Sequence, residues 1–312
     1  MTEQVVHVAV GVIENERGEI LIAKRADHLH QGGLWEFPGG KVEHGETVLT
    51  ALQRELDEEL ALHVTATHPL IRIPYHYPDK QVLLDVHRVT DWHGDAHGRE
   101  GQEIVWVNID HLNDYTFPAA NRPIIKAVQL PSIYLISGKF HDLNEFAQRL
   151  RGALQQGIRL VQLRAGDMEQ QMLTELSQRA VVLCHEYDAR VLINTSPEIA
   201  MRLNADGVHL NSKRLMQYTQ RPVGKDVWLA ASVHNEKEMQ QANALDVDFV
   251  VVSPVLPTPS HPGEPNLGWA AFNALTEMAA MPVYALGGMS EATLAQARMT
   301  GGQGIAGISN WW

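Results

Sequence analysis

The sequence predicts an α/β protein of two domains, residues 1–130 and 131–312. Its length of 312 residues suits about two domains. In the first part, strand-like runs surround one strongly amphipathic helix. After Pro131, short apolar strands alternate with helices or loops eight times. Eight such units describe a small (β/α)8 barrel.

The first domain begins with predicted strands at 6–14 and 19–24, joined by a hairpin-type turn at 15–18. A loop rich in His and Gly then leads into a helix predicted over 47–60. Leucines at every third or fourth position of that helix form an apolar stripe, so one face is expected to pack against the core. The stripe comprises Leu49, Leu52, Leu56 and Leu60. Further predicted elements are strands at 81–90 and 103–108 and a short helix at 121–128.

In the second domain, short apolar runs predict buried parallel strands. They lie at 133–137, 159–164, 191–194, 207–210, 228–233, 249–255, 282–287 and 304–309, and a helix is predicted at 143–156. Only Asn310, Trp311 and Trp312 follow the last strand, so the outer helix that usually completes this fold is missing. Either the two tryptophans or another subunit is expected to cover that gap.

Composition narrows the function classes. The formal net charge of −12, from 25 basic and 37 acidic residues, argues against a surface for a nucleic-acid polymer, which needs many basic side chains to neutralise phosphates. A small nucleotide or another phosphorylated ligand stays compatible with this charge. The single cysteine, Cys184, lies in an apolar run and is predicted to be a buried core thiol rather than a nucleophile.

The same features predict a cytoplasmic protein. One cysteine cannot form a disulfide within the chain, which suits a reducing compartment. The first residues lack the basic and apolar regions of a signal peptide, and the apolar runs are too short to span a bilayer, so no membrane association is expected. The oligomeric state stays open, and a homo-oligomer is compatible with the sequence.

The most informative stretch is the acidic run within the predicted helix. Glu55, Glu58 and Glu59 are spaced so that they share one helical face. Like charges at this spacing destabilise an isolated helix by roughly 0.2–0.5 kcal/mol per pair, and a bound cation would offset that repulsion. Carboxylate oxygens suit Mg²⁺, with Mn²⁺ as an alternative, and Mg²⁺ usually binds together with substrate phosphates. The other interpretation is a solvated acidic face without a ligand.

The surroundings of these glutamates resemble the Nudix box, G-x5-E-x7-R-E-U-x-E-E-x-G-U, in which U is a bulky aliphatic residue. The matching positions are Gly40, Glu46, Arg54, Glu55, Leu56, Glu58, Glu59 and Leu62. One position departs, because Ala61 stands where the pattern has a glycine that ends the helix. Arg54 is expected to pair with Glu46 rather than to touch phosphate. The resemblance implies an α/β/α sandwich with a mixed sheet, and a metal-dependent hydrolase acting on phosphorus anhydrides.

Outside the box, the first domain is similar to the MutT branch of that family in segments 9–13, 37–41, 92–102 and 117–121. This branch converts 8-oxo-dGTP to 8-oxo-dGMP and pyrophosphate, which prevents replication errors. By resemblance, a water held in the metal site attacks phosphorus and loses its proton to Glu55 or Glu100. The implied metal ligands are a carbonyl oxygen of Gly39 or Gly40 and the side chains of Glu55, Glu58, Glu59 and Glu100, of which Glu55, Glu58 and Glu100 form the catalytic set.

The same resemblance implies substrate contacts. Asn121 is expected to read the oxidised guanine, since an amide can donate and accept at once. The alternative is that Asn121 caps the helix that begins there. Arg25 and Phe37 align with ligand-contacting positions, whereas Lys41 is either a phosphate contact or a solvated side chain.

The second domain is similar to the thiamin phosphate synthase and TenI group of barrels in segments 161–164, 192–194, 205–210, 232–234, 253–259 and 285–288. That group holds Mg²⁺ with two aspartates, but here Thr195 and the segment 211–214 (Asn-Ser-Lys-Arg) stand at those places. Its phosphate-binding lysine is replaced by His261 and a further basic residue by Gly166. These changes remove the charge stabilisation that pyrophosphate departure requires, so synthase activity is not expected.

The resemblance still implies a phosphorylated ligand at the C-terminal ends of the barrel strands. His234 is a candidate acid–base residue, as in the TenI thiazole tautomerase. Although the missing carboxylates argue against synthase chemistry, the resemblance leaves a thiamin-pathway enzyme as the alternative function. Its barrel would act as a synthase or tautomerase, and its first domain would clear a related pyrophosphate. The candidate ligand-binding residues are Arg164, Asn194, His234, Thr258, Gly287, Gly288 and Ser309.

Overall fold

The computed structural model of the chain describes residues 5–28, 31–164, 166, 168–258 and 265–312. The chain divides into two compact units, with the boundary between Gln129 and Leu130. Both units combine helices and strands, as the sequence predicts. Within the described residues, no helix is both long enough and apolar enough to cross a bilayer.

The first unit contains two sheets. Its elements are β1 (Val6–Ile13), β2 (Glu19–Lys24), β3 (Trp35–Glu36), β4 (Gly39–Lys41), α1 (Val48–Leu60), β5 (His63–His76), β6 (Gln81–His93), β7 (Ile104–Asn108) and α2 (Arg122–Gln129). A mixed four-stranded sheet has the order β4-β1-β6-β5, with β1 and β6 parallel, and an antiparallel sheet has the order β3-β2-β7. Alternate residues of β1 pack on opposite sides, Ala9 and Ile13 with α1 and Val10 and Val12 with α2. The predicted sandwich with a mixed sheet is therefore confirmed.

The predicted turn at 15–18 between β1 and β2 is present, since the Gly18 N–H donates to the Asn15 carbonyl oxygen at 2.9 Å. Two details of this unit go beyond the sequence prediction. Next to that turn, β1 and β2 meet in one isolated bridge, between Glu14 and Ile20, and then enter different sheets. The second detail is β5, which the sequence pattern does not reveal. Pro69 and Pro74 interrupt its pattern and its register shifts along β6, both of which are tolerated because β5 lies at the edge of the sheet.

Helix α1 is fixed at both ends. At its start, the Thr47 hydroxyl accepts a hydrogen bond from the Thr50 N–H at 3.1 Å. At its end, Ala61 adopts the left-handed φ of 57° that a glycine would adopt without strain. Three members of the predicted apolar stripe are buried, namely Leu52, Leu56 and Leu60. The fourth, Leu49 in the first turn, is 43% exposed.

The second unit is a closed barrel of eight parallel strands, as predicted. Each predicted strand coincides with an observed one to within three residues at either end. The strands are β8 (Ile133–Ile136), β9 (Leu160–Leu163), β10 (Arg190–Ile193), β11 (Gly207–Leu210), β12 (Trp228–Val233), β13 (Phe249–Val252), β14 (Val283–Leu286) and β15 (Gly304–Gly307). The helices are α3 (Leu143–Gln155), α4 (Gln170–His185), α5 (Pro197–Arg202), α6 (Ser212–Leu215), α7 (Glu236–Ala244), α8 (Gly268–Met278) and α9 (Glu291–Met299).

The residues after β15, 308–312, form no helix. Instead, Trp311 is 8% exposed and lies against Gly307, and the Trp312 ring packs 5.4 Å from that of Phe146. In the structure, the tryptophans therefore cover this part of the barrel. Cys184 is fully buried in the layer between strands and helices, which confirms its prediction as a core thiol.

Candidate active site and barrel site

Arg54 connects α1 to the loop that precedes it. Its Nε and Nη2 atoms donate to the two carboxylate oxygens of Glu46, at 2.9 and 3.0 Å, and Nη2 also donates to the Lys41 carbonyl oxygen at 3.1 Å. The predicted Arg54–Glu46 pair is therefore present, and the hydrogen bonds from Arg54 lower the pKa of Glu46 to about 2. The Nη1 atom donates to Glu55 at 2.9 Å and to Glu58 at 3.3 Å. One guanidinium thus orients the loop and two of the predicted metal ligands.

The two glycines of β4 stand where a side chain would collide. A Cβ on Gly39 would lie 2.1 Å from the Ala9 carbonyl oxygen, and a Cβ on Gly40 would lie 2.1 Å from the carboxyl carbon of Glu55. The Glu55 carboxylate therefore rests directly on the Gly40 backbone. The Gly39 N–H donates a hydrogen bond to Glu59. Pairing of β4 with β1 brings these glycines to the predicted glutamates.

Four carboxylates approach one another at this junction of β4 and α1. Glu55 and Glu59 come from α1, Glu36 from β3 and Glu100 from the segment before β7. Burial, and after it the negative charges of Glu36, Glu55 and Glu100, raise the pKa of Glu59 to about 8. Such mutual repulsion identifies a place where a bound cation would be stabilised.

A divalent ion fits this donor set, because carboxylate and carbonyl oxygens are the ligands that Mg²⁺ and Mn²⁺ prefer. Across the described ranges of the chain, no three His, Cys, Asp or Glu side chains already stand in a geometry that could hold an ion. The carboxylates would therefore have to close around it by side-chain rotation. Among the predicted ligands, Glu55 and Glu59 are half-buried, whereas Glu58 and Glu100 are exposed. The role of each of these glutamates as a metal ligand stays a prediction.

An open cavity of about 440 Å³ lies beside these carboxylates. Arg25, Glu36, Glu59 and Glu100 line it, and Arg25 forms an ion pair with Glu36. The predicted Arg25 is therefore in place to meet a ligand, whereas the Lys41 side chain is exposed and does not line the cavity. Sequence reasoning missed Glu36. Its only signal is an acidic residue between two aromatic ones in a segment that leads to the glycines.

The segment expected to recognise the base is held by aromatic packing. Asn121 is 9% exposed and ends a 3-10 turn immediately before α2. Phe37 is 2% exposed and its ring stacks on that of Phe117 at 5.5 Å, so it supports this segment from the core. The Tyr77 oxygen accepts a hydrogen bond from the Ala120 N–H, which ties the turn to the neighbouring segment.

Inside the barrel, six polar side chains form one hydrogen-bonded chain, of which the sequence prediction includes only Asn194. Its contacts are Arg214 Nη1 to Asn194 Oδ1 (3.1 Å), Asn194 Nδ2 to Gln162 Oε1 (3.3 Å), Gln162 Nε2 to Tyr134 Oη (3.4 Å), Tyr134 Oη to His209 Nδ1 (3.2 Å) and His209 Nε2 to Ser232 Oγ (2.9 Å). Burial lowers the pKa of His209 to about 3, so its ring is neutral at pH 7. This series of hydrogen bonds links the barrel interior to the strand ends.

The predicted glycines of the barrel follow β14. Gly287 and Gly288 have φ angles of 99° and 68°, in the left-handed region. A Cβ on Gly288 would lie 2.7 Å from the Pro257 carbonyl oxygen, so a side chain is excluded there. Backbone N–H groups in such conformations commonly form concave anion sites.

The remaining predicted barrel residues are more dispersed. His234 donates through Nδ1 to the Glu238 carboxylate at 2.9 Å and lines a cavity of about 600 Å³ with residues of α7 and α8. Arg164 and Ser309 are exposed, and Thr258 is half-buried. His261, the residue at the place of the family's lysine, lies outside the described residues.

The first unit thus has a mixed sheet whose Gly-Gly strand faces an acidic helix, the arrangement of a Nudix-type hydrolase, and the second unit is a closed (β/α)8 barrel. Comparison with known proteins agrees with both assignments. A family model described as NUDIX domain matches residues 9–127, and one described as thiamine monophosphate synthase matches residues 133–310. The chain therefore belongs to the thiamine monophosphate synthase family through its barrel and to the Nudix family through its first unit.

Individual relatives match one unit each. The 8-oxo-dGTP diphosphatase of Escherichia coli is 41% identical over 118 residues, 38% of this chain and 92% of that protein. The corresponding protein of Haemophilus influenzae is 38% identical over 125 residues, 40% of this chain and 92% of its own length. A putative thiamine-phosphate synthase 2 of Aquifex aeolicus is 32% identical over 182 residues, 58% of this chain and 98% of that protein. The first unit is thus a Nudix hydrolase, an enzyme that acts on phosphorus anhydrides, and such enzymes generally require a divalent metal ion.

Proposed function

We propose that the first unit is a Mg²⁺-dependent pyrophosphohydrolase that converts 8-oxo-dGTP to 8-oxo-dGMP and pyrophosphate. The observation that carries this proposal is the approach of Glu36, Glu55, Glu59 and Glu100 to one another beside the cavity. The names of the diphosphatase relatives support the choice of substrate. Action on free nucleotides rather than on nucleic acid, in the cytoplasm, belongs to the same proposal.

Different residues of the first unit have different roles in the proposed hydrolysis. Glu55, resting on Gly40, and Glu59, bonded to the Gly39 N–H, would hold a divalent ion that neutralises charge on the leaving pyrophosphate. Glu55 or Glu100 accepts the proton of the attacking water. Arg25, which lines the same cavity and is oriented by its ion pair with Glu36, would contact the substrate. The buried segment around Asn121 is the candidate for base recognition, in which the amide donates and accepts along the purine edge.

The test is pyrophosphate release from 8-oxo-dGTP and dGTP by the full chain, with Mg²⁺, with Mn²⁺ and with EDTA. We expect much faster turnover of 8-oxo-dGTP, dependence on the ion, and loss of activity in Glu55→Gln. The matched control is Asp57→Asn on the same helix, whose carboxylate contacts His63 and Arg99 instead. Equal rates on the two nucleotides would remove the sanitation role, and turnover in EDTA would remove the metal role.

For the barrel, the left-handed Gly287 and Gly288 after β14 favour a second activity, the binding of a phosphorylated ligand without synthase chemistry. Its support is the family match together with the missing carboxylates at Thr195 and at the segment 211–214. Product formation in a thiamin phosphate synthase assay, or thiazole phosphate turnover that His234→Ala abolishes, would instead establish the thiamin-pathway alternative.

A further inference from the structure

The strand ends of the barrel do not fit the Mg²⁺ that its family holds there. The segment after β10 offers Asn194 and Thr195, and the segment after β11 offers Asn211, Ser212, Lys213 and Arg214. These are amides, hydroxyls and two cations, a donor set that Mg²⁺ does not prefer. Arg214 is half-buried there, and its guanidinium is anchored 3.1 Å from the Asn194 side chain. A permanent positive charge at this place repels a second cation.

The direction of the hydrogen bonds inside the barrel also argues against a bound cation. A guanidinium has only donors, so Arg214 fixes the Asn194 oxygen as an acceptor. The Asn194 amide nitrogen then donates to Gln162, and the Gln162 nitrogen donates to Tyr134. The buried Tyr134 hydroxyl must donate its own hydrogen, and the acceptor beside it is Nδ1 of His209 at 3.2 Å. Because the ring is neutral, its other nitrogen, Nε2, then carries the proton.

At the far end, Nε2 of His209 donates to the Ser232 oxygen at 2.9 Å. The Ser232 hydroxyl hydrogen is thereby directed to a further acceptor. Both ends of the chain consequently present donors, the guanidinium of Arg214 and the hydroxyl of Ser232. Side-chain oxygens that could ligate a cation, above all that of Asn194, are already engaged inside the chain. Donors at the ends of the hydrogen-bonded chain suit a ligand group that accepts hydrogen bonds, such as a phosphate.

We propose that the barrel binds its phosphorylated ligand without a divalent ion, and that the Arg214 guanidinium, held by Asn194, supplies the positive charge. The inference rests on the proposed ligand-binding function of the barrel. Three observations carry it: the cationic side chain where the family has a carboxylate, its anchoring by Asn194, and the one-way direction of the donors behind it. Since a guanidinium has five N–H donors and the Asn194 contact uses one, several remain for phosphate oxygens.

The experiment uses the full chain and inorganic pyrophosphate as the probe. Calorimetry in EDTA measures its affinity for the unmodified chain, for Arg214→Gln and for the control Lys213→Gln, which removes the same charge from the exposed neighbouring position. Amide hydrogen exchange with and without pyrophosphate locates the binding. We expect binding in EDTA with slowed exchange in the segment 211–216. Arg214→Gln should weaken that binding about tenfold or more, as expected for hydrogen bonds to a charged group, and Lys213→Gln less than about twofold.

Each of the other outcomes would contradict a different part of the proposal. Slowed exchange in the barrel only after Mg²⁺ is added would overturn the metal-free inference and leave the barrel as a ligand-binding unit. Binding in EDTA that Arg214→Gln and Lys213→Gln weaken equally would overturn the role of Arg214. An unchanged barrel in both conditions would overturn the ligand-binding function as well, without touching the hydrolase. The measurement on the unmodified chain keeps the inference testable even if Arg214→Gln does not fold.

Discussion

Arg54 and Glu46 are joined by two parallel hydrogen bonds, from Nε to Oε1 at 2.9 Å and from Nη2 to Oε2 at 3.0 Å. The pair fastens the loop before α1 to the second turn of that helix. Because the same guanidinium also donates to Glu55 at 2.9 Å, the position of Glu55 depends on where the pair holds Arg54. Glu46 is therefore a positioning residue for the candidate metal site.

Glu46→Gln should lower kcat/KM for pyrophosphate release about tenfold, the order of effect expected when a catalytic group is displaced by a fraction of an ångström. The Mg²⁺ concentration at half-maximal activity should rise with it, because Arg54, released from Glu46, binds Glu55 more fully. The matched control is Glu43→Gln, an exposed carboxylate on the same loop, which should leave both quantities unchanged. Equal effects of the two variants would show that the loop charge matters and the pair does not.

The sequence predicts the parts of this site that local periodicity controls, and fails where side chains from distant strands meet. Glu55 and Glu59 follow from helical spacing, and α1 and the barrel strands follow from their apolar patterns. Glu58 follows from the same spacing, and its role as a metal ligand stays a prediction. The role of Glu36 depends on the register that brings β3 beside Arg25, which no local pattern encodes.

The barrel shows the same division. Its eight strands follow from the sequence, whereas the hydrogen-bonded chain inside it joins residues up to 75 positions apart. Gln162, Tyr134 and His209 are buried polar residues in otherwise apolar strands, and each is a signal that a polar partner is present. The identity of those partners depends on closure of the barrel, so it could not be predicted before the strand order was known.

Glu36→Gln should raise KM for the nucleotide about tenfold and change kcat less, because the neutral amide no longer holds Arg25 by charge. If Glu36 acts only through Arg25, the Mg²⁺ requirement should stay as it is. Steady-state kinetics across a range of Mg²⁺ concentrations measures both. Glu103→Gln is the control, since Glu103 lines the same cavity but pairs with Lys24. A parallel rise in the Mg²⁺ requirement would instead identify Glu36 as a metal ligand.

Ala61→Gly should stabilise the first unit by about 1 kcal/mol. Ala61 has a left-handed φ of 57°, a conformation that is strained for a residue with a Cβ and almost free of strain for glycine. The hydrogen bond from its N–H to the Asp57 carbonyl oxygen, at 3.0 Å, does not depend on the side chain. Urea unfolding of the full chain measures the change. Ala51→Gly, in the buried interior of the same helix, should destabilise by about 1 kcal/mol or more. Loss of stability in both variants would contradict the strain at position 61.

His209 should make the barrel sensitive to acid. Burial lowers its folded-state pKa to about 3 from an ordinary 6.5, so the unfolded chain binds the proton first as the pH falls. Stability is therefore lost progressively from about pH 6.5 down to pH 3, and the loss between pH 7 and pH 5 should be about 2 kcal/mol. In His209→Gln this part of the pH dependence should vanish, although the variant is less stable at pH 7. Urea unfolding at the two pH values measures it. His141→Gln, at an exposed position in the same unit, should keep the dependence of the unmodified chain.

Gly40→Ala should separate activity from stability. The added Cβ would lie 2.1 Å from the carboxyl carbon of Glu55, which is the far end of a flexible side chain and can swing away at little cost to the fold. Moving it takes the carboxylate from the place where it would hold the ion, so pyrophosphate release should fall at least 100-fold, while the midpoint of thermal unfolding changes by a few degrees at most. Gly152→Ala is the control, because a Cβ there meets open space on helix α3; it should keep full activity and gain up to about 1 kcal/mol of stability. Retained activity in Gly40→Ala would mean that Glu55 does not act from its position against the β4 backbone. A large loss of stability would mean that the glycine is required for folding rather than for the position of Glu55.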